Sequence, residues 1–464
     1  MNTLIQRGKS LYGLLPTGLR GAAASGFGWY LRFWRYGRDT KPLVAEALAR
    51  ESWTADEWRQ YQGERLVELL NRAATRVPYY RDRWSERRAA GDTSSWKELR
   101  NWPVLDKKEL RNNPRAFLAD DVNPGRLFRL TTSGTSGTPI TTWRSRRTSI
   151  EWYALFEART RLWYGVDRRI PWAILGGQIV APATQTEPPF WVWNAGLRQL
   201  YLSSLHLSQR NVEAYLEAIE RYRVRHLYGY ASSMYWLATM ARDRGLPAPP
   251  LAVAVSNAEL LLPHQREVIS EVFSCAVRNT YGMSEIVAAA SECDRGTLHL
   301  WPDAGVVEVV DDNGVELGPG EAGGLICTGL LNPNMPLIRY AVGDHGALGA
   351  SRDHACACGR TLPSIDRIEG RVTDNLIAAD GRRVFWINPV FYDLPIREGQ
   401  VVQEAMGAFY VNVVPDAGFG DGVEAIIQER MRQRLGEARI EVRRVESIPR
   451  GANGKFRAVV NMVA

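Results

Sequence analysis

Thr131-Thr132-Ser133-Gly134-Thr135-Ser136-Gly137-Thr138-Pro139 is the stretch on which the reading of this chain turns. Gly134 and Gly137 permit backbone with φ > 0 and let N–H groups converge on an anion. The hydroxyl side chains around them add donors for phosphate oxygens. The lysine of the Gly-x-x-x-x-Gly-Lys-Ser/Thr nucleotide loop is absent. Taken alone, the stretch also reads as a solvated Ser/Thr/Gly linker, so its surroundings must decide.

On the C-terminal side, from about residue 128, short apolar runs (Pro171–Leu175, Val224–Tyr228, Leu251–Val255, Ala276–Thr280) alternate with helical stretches (Val212–Tyr222, Ser232–Asp243). That alternation predicts a largely parallel sheet flanked by helices. Between 297 and 350 the pattern changes to strand and turn (Gly305–Val310, Asp312-Asn313-Gly314, Gly323–Thr328), which predicts a small antiparallel β subdomain. On the N-terminal side, residues 41–120 read as helical; Asp56–Ala74 carries apolar residues at helical spacing and is stopped by Pro78. After Gly370-Arg371 come the apolar runs Val384–Ile387 and Tyr410–Val414, a helix at Gly422–Leu435 and strands at Ile440–Val445 and Phe456–Asn461. The 464 residues exceed the roughly 250–300 that one hydrophobic core supports. The expected fold is therefore α/β in two domains. Residues 1–370 form a large N-terminal domain, of which 1–120 are mainly a helical arm and packing helices. Residues 371–464 form a small mobile α+β domain, with the junction near Arg371–Asp374.

Four further segments share the chemistry of the opening stretch. Tyr281-Gly282-Met283-Ser284-Glu285 follows an expected strand, where α/β sheets place ligand contacts. Arg339-Tyr340-Ala341-Val342-Gly343-Asp344 follows Pro336, Gly370-Arg371-Val372-Thr373-Asp374 lies at the junction, and Pro449-Arg450-Gly451-Ala452-Asn453-Gly454-Lys455-Phe456-Arg457 lies near the C-terminus. Each is weak singly. In this order and at these separations the five resemble the acyl-adenylate-forming superfamily, from about residue 65 onward. Ala74–Tyr80 and Pro336–Asp344 look closest to its phenylacetate–CoA ligase branch, Gly454–Arg457 and Gln400–Gln403 to its capsular-polysaccharide relatives.

The resemblance implies roles residue by residue. Ser133, Gly134, Thr135, Ser136 and Gly137 would wrap the ATP phosphates, with Thr135 counted among the catalytic groups. Glu285 would hold Mg²⁺, since a hard cation takes a carboxylate. Tyr281 and Gly282, with Met283 and Ser284 following, would flank the adenine and α-phosphate, and Ala258 and Glu259 would lie against the adenine. Asp344 would accept from the ribose hydroxyls, Arg371 would contact the nucleotide near the hinge, and Lys455 would reach in from the small domain. A carboxylate must attack an already anionic phosphate, so positive charge has to bridge the two. Two positions depart from the family: Thr138 stands where a lysine is common, leaving Arg144 or Arg146 to compensate, and Thr373 replaces the first of two hinge acids.

The implied function is ATP-dependent adenylation of a carboxylic acid, giving acyl-AMP and pyrophosphate, then acyl transfer to a thiol, amine or hydroxyl acceptor in polysaccharide biosynthesis. Coenzyme A is a candidate acceptor, which gives the alternative of an acyl-CoA ligase for an aryl or other small acid. A non-catalytic nucleotide-binding protein is the alternative of another class. The resemblance also implies a structural Zn²⁺ on Cys293, His299, Cys356 and Cys358, with His354 a rival ligand; the alternative is thiols without metal. The acyl pocket is expected from Trp163, Gly176-Gly177, Trp191–Asn194, Tyr228-Gly229-Tyr230 and Ser256. His206, His226 and His264 read as satisfied structural histidines.

Composition sets the remaining bounds. Five cysteines, no run of eighteen apolar residues and no secretory signal pattern point to a reducing, cytoplasmic setting. The net charge of +7 is spread out, with no recognised nucleic-acid motif, so no nucleic-acid partner is expected. Residues 1–38 are the exception: Arg7, Lys9, Arg20, Arg32, Arg35 and Arg38 interleave with aromatics and no acid. They read as a helical arm packed on the body, or as a peripheral membrane or partner contact.

Overall fold

The computed structural model describes residues 12, 15–131, 139–178, 180–182, 184–350, 356–371, 376–378, 380–384, 387–451 and 454–463. Ser133, Gly134, Thr135, Ser136 and Gly137 lie outside the described residues, as do His354, Thr373 and Asp374.

Among the described residues the first long helices are α1 (Thr17–Arg35), α2 (Thr40–Ala49), α3 (Ala55–Arg76) and α4 (Pro78–Ala89). A capping box starts α3: Glu57 N donates to Thr54 Oγ1 at 3.3 Å and Thr54 N to Glu57 Oε2 at 2.7 Å. Pro78 ends α3, as expected, but also opens α4, because its missing N–H costs nothing in the first turn of a helix. Leu69, Leu70, Ala73, Tyr80 and Trp84 bury these two helices against Trp102, Phe117 and Tyr340.

Among the described residues one sheet runs in the order β11-β12-β13-β14-β10-β9-β8-β7-β6-β3-β5-β4. Its parallel half comprises β3 (Trp172–Gly176), β5 (Gln199–Ser203), β6 (His226–Gly229) and β7 (Val253–Ser256), joined on one side to β4 (Trp191–Asn194) and on the other to β8 (Ala276–Gly282). Helices α7 (Val212–Arg221), α8 (Ala231–Asp243) and α9 (Pro263–Phe273) supply the crossovers, and α6 (Arg146–Thr160) precedes the sheet. Strand β8 is the joint. Its first residues pair in parallel with β7, and Thr280–Gly282 pair antiparallel with β9 (Ala289–Glu292). From there β10 (Leu298–Leu300), β11 (Gly305–Val310), β12 (Ala322–Gly329), β13 (Tyr340–Leu348) and β14 (Ser364–Arg371) continue antiparallel, so the expected β subdomain is hydrogen-bonded to the parallel sheet. The hairpin of β1 (Phe128–Thr131) and β2 (Thr141–Arg144) brackets residues 132–138, and α5 (Lys107–Asn112) packs on β13.

Past the short strands β15 (Leu376–Ile377) and β16 (Arg383–Val384), a second sheet has the order β19-β18-β17-β20, formed by β17 (Ile396–Ala405), β18 (Ala408–Pro415), β19 (Arg439–Arg444) and β20 (Val459–Asn461) with α10 (Asp421–Leu435) against it. Sequence reading missed β17 because Glu398, Gln400 and Gln403 break its apolar pattern; all three are buried. Gln403 earns its place in the core by accepting from Ile377 N at 2.8 Å and donating to Ile377 O at 2.9 Å. No helix among the described residues is long and apolar enough to cross a membrane.

Candidate active site

A cleft of about 470 Å³ opens at the carboxyl ends of the parallel strands. Strand β8 delivers Tyr281 and Gly282 to it, and Met283, Ser284 and Glu285 follow. Ile286 then adopts φ 54°, a left-handed conformation that is costly for a β-branched residue, and its N–H closes a turn on Met283 O at 3.1 Å. Glu285 is thereby held in the cleft wall, where Tyr340 Oη donates to its Oε1 at 3.1 Å.

Register places the next pair. Asp344 on β13 sits directly opposite Arg371 on β14, and Arg371 Nε meets its Oδ1 at 2.8 Å. Tyr281 Oη donates to Asp344 Oδ2 at 2.9 Å. Two antiparallel strands and the joint strand thus fix one carboxylate, one guanidinium and one phenol, although the chain separates them widely.

Lys455 comes from the C-terminal segment and lines the same cleft, with Nζ 5.6 Å from the centre of the Tyr230 ring. Burial lowers its pKa, and Arg371 lowers it further. Three contacts hold its segment in place. Phe456 N donates to Glu259 Oε1 at 2.8 Å. Gly454, at φ 75°, approaches Ser204 so closely that a Cβ there would lie 2.6 Å from Ser204 Oγ. Buried Glu398 accepts from both Arg450 and Trp236 Nε1. Glu259 also accepts from Ser232 N at 3.0 Å, and its side chain is no part of the cleft wall; Ala258, at φ 61°, is. Of the pair expected at the adenine, Ala258 lines the cleft and Glu259 clasps the lysine segment.

Two cations in the cleft wall escaped sequence reading. Lys107 Nζ donates to Val342 O at 3.4 Å, and burial lowers its pKa against the opposing pull of Glu285. Arg111, one turn along α5, lines the cleft as well. Asp-Lys-Lys-Glu-Leu-Arg reads as a solvated helix start, and no local signal sets Lys107 apart from Lys108.

Most of the length of this chain is similar to known proteins. The model of the CapK C-terminal domain family matches residues 376–462. Protein CapK of Staphylococcus aureus is 24% identical over 415 residues, covering 87% of this chain and 89% of its own. Phenylacetate-coenzyme A ligase of Thermus thermophilus is 28% identical over 345 residues, or 70% of this chain and 73% of that one. A crystal structure of 2-hydroxyisobutyryl-CoA ligase in its postadenylation state shares the fold at a TM-score of 0.66 and 21% identity, covering 89% of this chain and 91% of that chain. Residues 376–462 thus fall within the CapK C-terminal domain family, and most of the chain is similar to CapK and to phenylacetate–CoA ligases.

The lining of this cleft differs from the acyl pocket expected from sequence. Gly176, Tyr228 and Tyr230 line it, joined by Trp152, Tyr153 and Phe156 from α6 and by Ile174. Trp163 does not: its Nε1 donates to Glu51 Oε1 at 2.7 Å and its ring stands edge-on to His299, 6.1 Å between centres. Trp191–Asn194 form β4, which packs beneath α1, and Ser256 is buried outside the cleft wall. Of the two arginines expected to offset the missing lysine, Arg146 is tied to the arm, donating to Phe33 O at 2.8 Å and Tyr36 O at 3.1 Å. Arg144 lines the cleft.

A second constellation lies behind the antiparallel half. Ligand atoms of Cys293, His299, Cys356 and Cys358 all fall within 4.8 Å of one another. Cys358 Sγ is 3.4 Å from His299 Nε2, while His299 Nδ1 meets Leu362 O at 3.0 Å. A carbonyl on Nδ1 fixes the tautomer and leaves the Nε2 lone pair facing the thiols, the second-shell arrangement of metal-bound imidazole. A tetrahedral shell of Zn–S bonds of about 2.3 Å sets sulfur atoms about 3.8 Å apart, and the 4.8 Å spread of this cluster is compact enough for such a shell to form. Cys356–Gly359 form a tight turn, with Gly359 at φ 83° and its N–H on Cys356 O at 2.7 Å. With four N/S ligands among the described residues, the set suits a closed structural site.

Proposed function

We propose that the chain joins a carboxylic acid to the α-phosphate of ATP, releases pyrophosphate, and passes the acyl group to an acceptor nucleophile. The observation that carries this reading is Lys455 standing in one cleft with Glu285 and Arg371, the latter ion-paired to Asp344 behind the wall. In this reading the acid lies on the Tyr228–Tyr230 side and ATP on the Tyr281–Glu285 side. Asp344, oriented by Arg371 and Tyr281, accepts from the ribose hydroxyls. The Lys455 ammonium lies between the two mutually repelling anions and stabilises the charge that builds as they meet; Lys107 and Arg371 add positive field. Glu285 would hold Mg²⁺, which offsets charge on the departing pyrophosphate. Ser133–Gly137 would wrap the phosphates.

Removal of Lys455 completes the scheme. The clasp at Glu259, Ser204 and Glu398 is polar and small, so residues 371–464 are suited to leave as a domain, hinging near Arg371–Asp374 and admitting the acceptor. The resemblance of Gly454–Arg457 and Gln400–Gln403 to capsular-polysaccharide relatives favours an amine or hydroxyl of a polysaccharide precursor. The second reading, a coenzyme A thioester of an aryl acid, is favoured by likeness to phenylacetate–CoA ligase and by the aromatic wall of α6. Acid-dependent pyrophosphate release from MgATP, with mass spectrometry of acyl-AMP and its product, tests both. Silence across a panel of acids and acceptors would instead support a nucleotide-binding protein without catalysis. We further assign structural Zn²⁺ to the Cys293–His299–Cys356–Cys358 cluster.

The arm supports a role in placing the enzyme. Helix α1 packs on β4 through Gly28 and Ser25, and a Cβ on Gly28 would lie 1.7 Å from Asn194 Oδ1. Its outer face leaves Leu19, Phe27, Trp29 and Phe33 about half exposed (56%, 48%, 57% and 59%). Arg32 and Arg38 are exposed at its end, and residues 1–38 contain no acid. That pairing of aromatic face and positive charge fits an anionic bilayer surface. Sedimentation with phosphatidylglycerol vesicles, but not with neutral ones, is expected, and Phe27→Ser with Phe33→Ser should abolish it. Binding unaffected by the substitutions, or self-association through this face, would remove the assignment.

A further inference from the structure

Building on the adenylation reading, we propose that the acid activated here carries a second anionic group, distal to its reacting carboxyl, which is seated on Arg144. The simplest such substrate is a small dicarboxylic acid.

Arg144 ends β2 and lines the cleft, yet only 7% of it is exposed. Its Nε is buried with no hydrogen-bond partner. The guanidinium lies 5.7 Å from the Phe128 ring centre and 5.9 Å from that of Tyr153. No carboxylate among the described residues forms an ion pair with it. Arg35, its neighbour across Tyr153 at 4.5 Å from that ring, likewise has no such pair, whereas Arg161 is matched by Glu157 at 2.8 Å. Tyr153 hydrogen-bonds the Arg144 side chain, and although burial pushes its phenol up, Arg35, Arg144 and Arg161 together bring it below its ordinary value. Burying a guanidinium without a counter-anion is costly, and proteins rarely retain one unless a ligand completes it. Arginine also suits the purpose, since its planar fork takes a carboxylate through two hydrogen bonds.

The nucleotide is a poor candidate for that anion. Arg144 pairs with Phe128, three rungs from the Thr131–Thr141 pair that borders residues 132–138. At a strand rise of ~3.4 Å per residue, its backbone stands roughly 10 Å from that border. Its guanidinium lies against Phe128 and Tyr153, and Tyr153, with Trp152 and Phe156 of α6, forms the cleft wall assigned to the acyl group. A distal carboxylate reaching this wall would find the Arg144 fork and the Tyr153 hydroxyl together.

The test uses the full chain and measures acid-dependent pyrophosphate release with succinate, glutarate, adipate and 4-carboxyphenylacetate, each against its distal monoamide. At least one diacid should exceed its monoamide about tenfold or more in kcat/KM. Arg144→Gln should erase that ratio by raising KM for the diacid, while KM for MgATP stays within twofold, and Arg144→Lys should recover part of it. Equal use of diacid and monoamide, or a preference that survives Arg144→Gln, overturns the proposal. A rise in KM for MgATP instead would place the guanidinium on the nucleotide and also overturn it. If no acid releases pyrophosphate, the adenylation reading fails, and the anion seat is judged by melting temperature alone. Glutarate raising the Tm of the wild type but not of folded Arg144→Gln supports the seat; no shift, or equal shifts, rules it out.

Discussion

Lys455 is a cation held where charge is expensive, since burial and Arg371 both depress its pKa. Its protonated form is the one that can bridge two anions, and that form is lost as pH rises through a pKa below the ordinary 10.5. The alkaline limb of kcat/KM for adenylation, which reports the free enzyme, should therefore fall below pH 10.5. A profile flat to that pH would contradict this role. Lys455→Ala should cost ~3–4 kcal/mol of transition-state stabilisation, some 10²–10³-fold in rate, with an unchanged circular dichroism spectrum. Lys107→Ala should produce a smaller loss of the same sign, because Lys107 faces Glu285 and Asp344 as well. Lys455 was legible in the sequence because Gly454-Lys455-Phe456 sits in a recurring local pattern. Lys107 was not, because only the packing of α5 on β13 distinguishes it from Lys108.

Two elements carry testable consequences of their own. Glu259 links the loop after β7 to the Lys455 segment through two backbone N–H donors, Ser232 and Phe456. Glu259→Gln replaces one acceptor oxygen by a donor and sets it against those N–H groups. Adenylation should drop about tenfold, while acyl transfer from preformed acyl-adenylate, which needs the segment released, should hold its rate. Loss of both half-reactions together would count against the clasp. The turn Cys356–Gly359 and strands β9–β10 are the other case. The purified chain should contain about one zinc by elemental analysis, and chelation or Cys358→Ser should remove it and lower Tm, with most adenylation retained below that temperature. The family resemblance suggested this cluster and its ligand set, and antiparallel pairing of β10 with both β9 and β14 is what brings residues more than fifty positions apart to one point.

For the whole molecule, the parallel half of the sheet holds a pH-dependent weakness. His226 on β6 is fully buried, stacked 6.0 Å from Trp172, and neither ring nitrogen has a hydrogen-bond partner, unlike the satisfied histidine expected from sequence. Burial brings its pKa down to about 3, with Arg161 contributing. The unfolded chain therefore takes up this proton first. Stability from neutral His226 is complete above the ordinary 6.5 and declines as pH falls from 6.5 towards 3. Denaturant midpoints should fall across that window by an amount worth a few kcal/mol, and His226→Phe should flatten the decline. An identical pH dependence in both proteins would rule it out.

Local chemistry determined the α/β alternation, several helix boundaries and the motifs that carry the family resemblance. Periodicity, capping and short glycine-rich motifs are properties of neighbouring residues and need no distant partner. Tertiary structure alone decided which aromatic residues line the cleft, that Glu259 clasps the lysine segment, and that Lys107, Arg111 and Arg144 enter the cleft. Those outcomes depend on strand register and on which helix packs where. Both are settled by burial of apolar surface contributed by segments far apart in the chain, and no window of sequence contains that information.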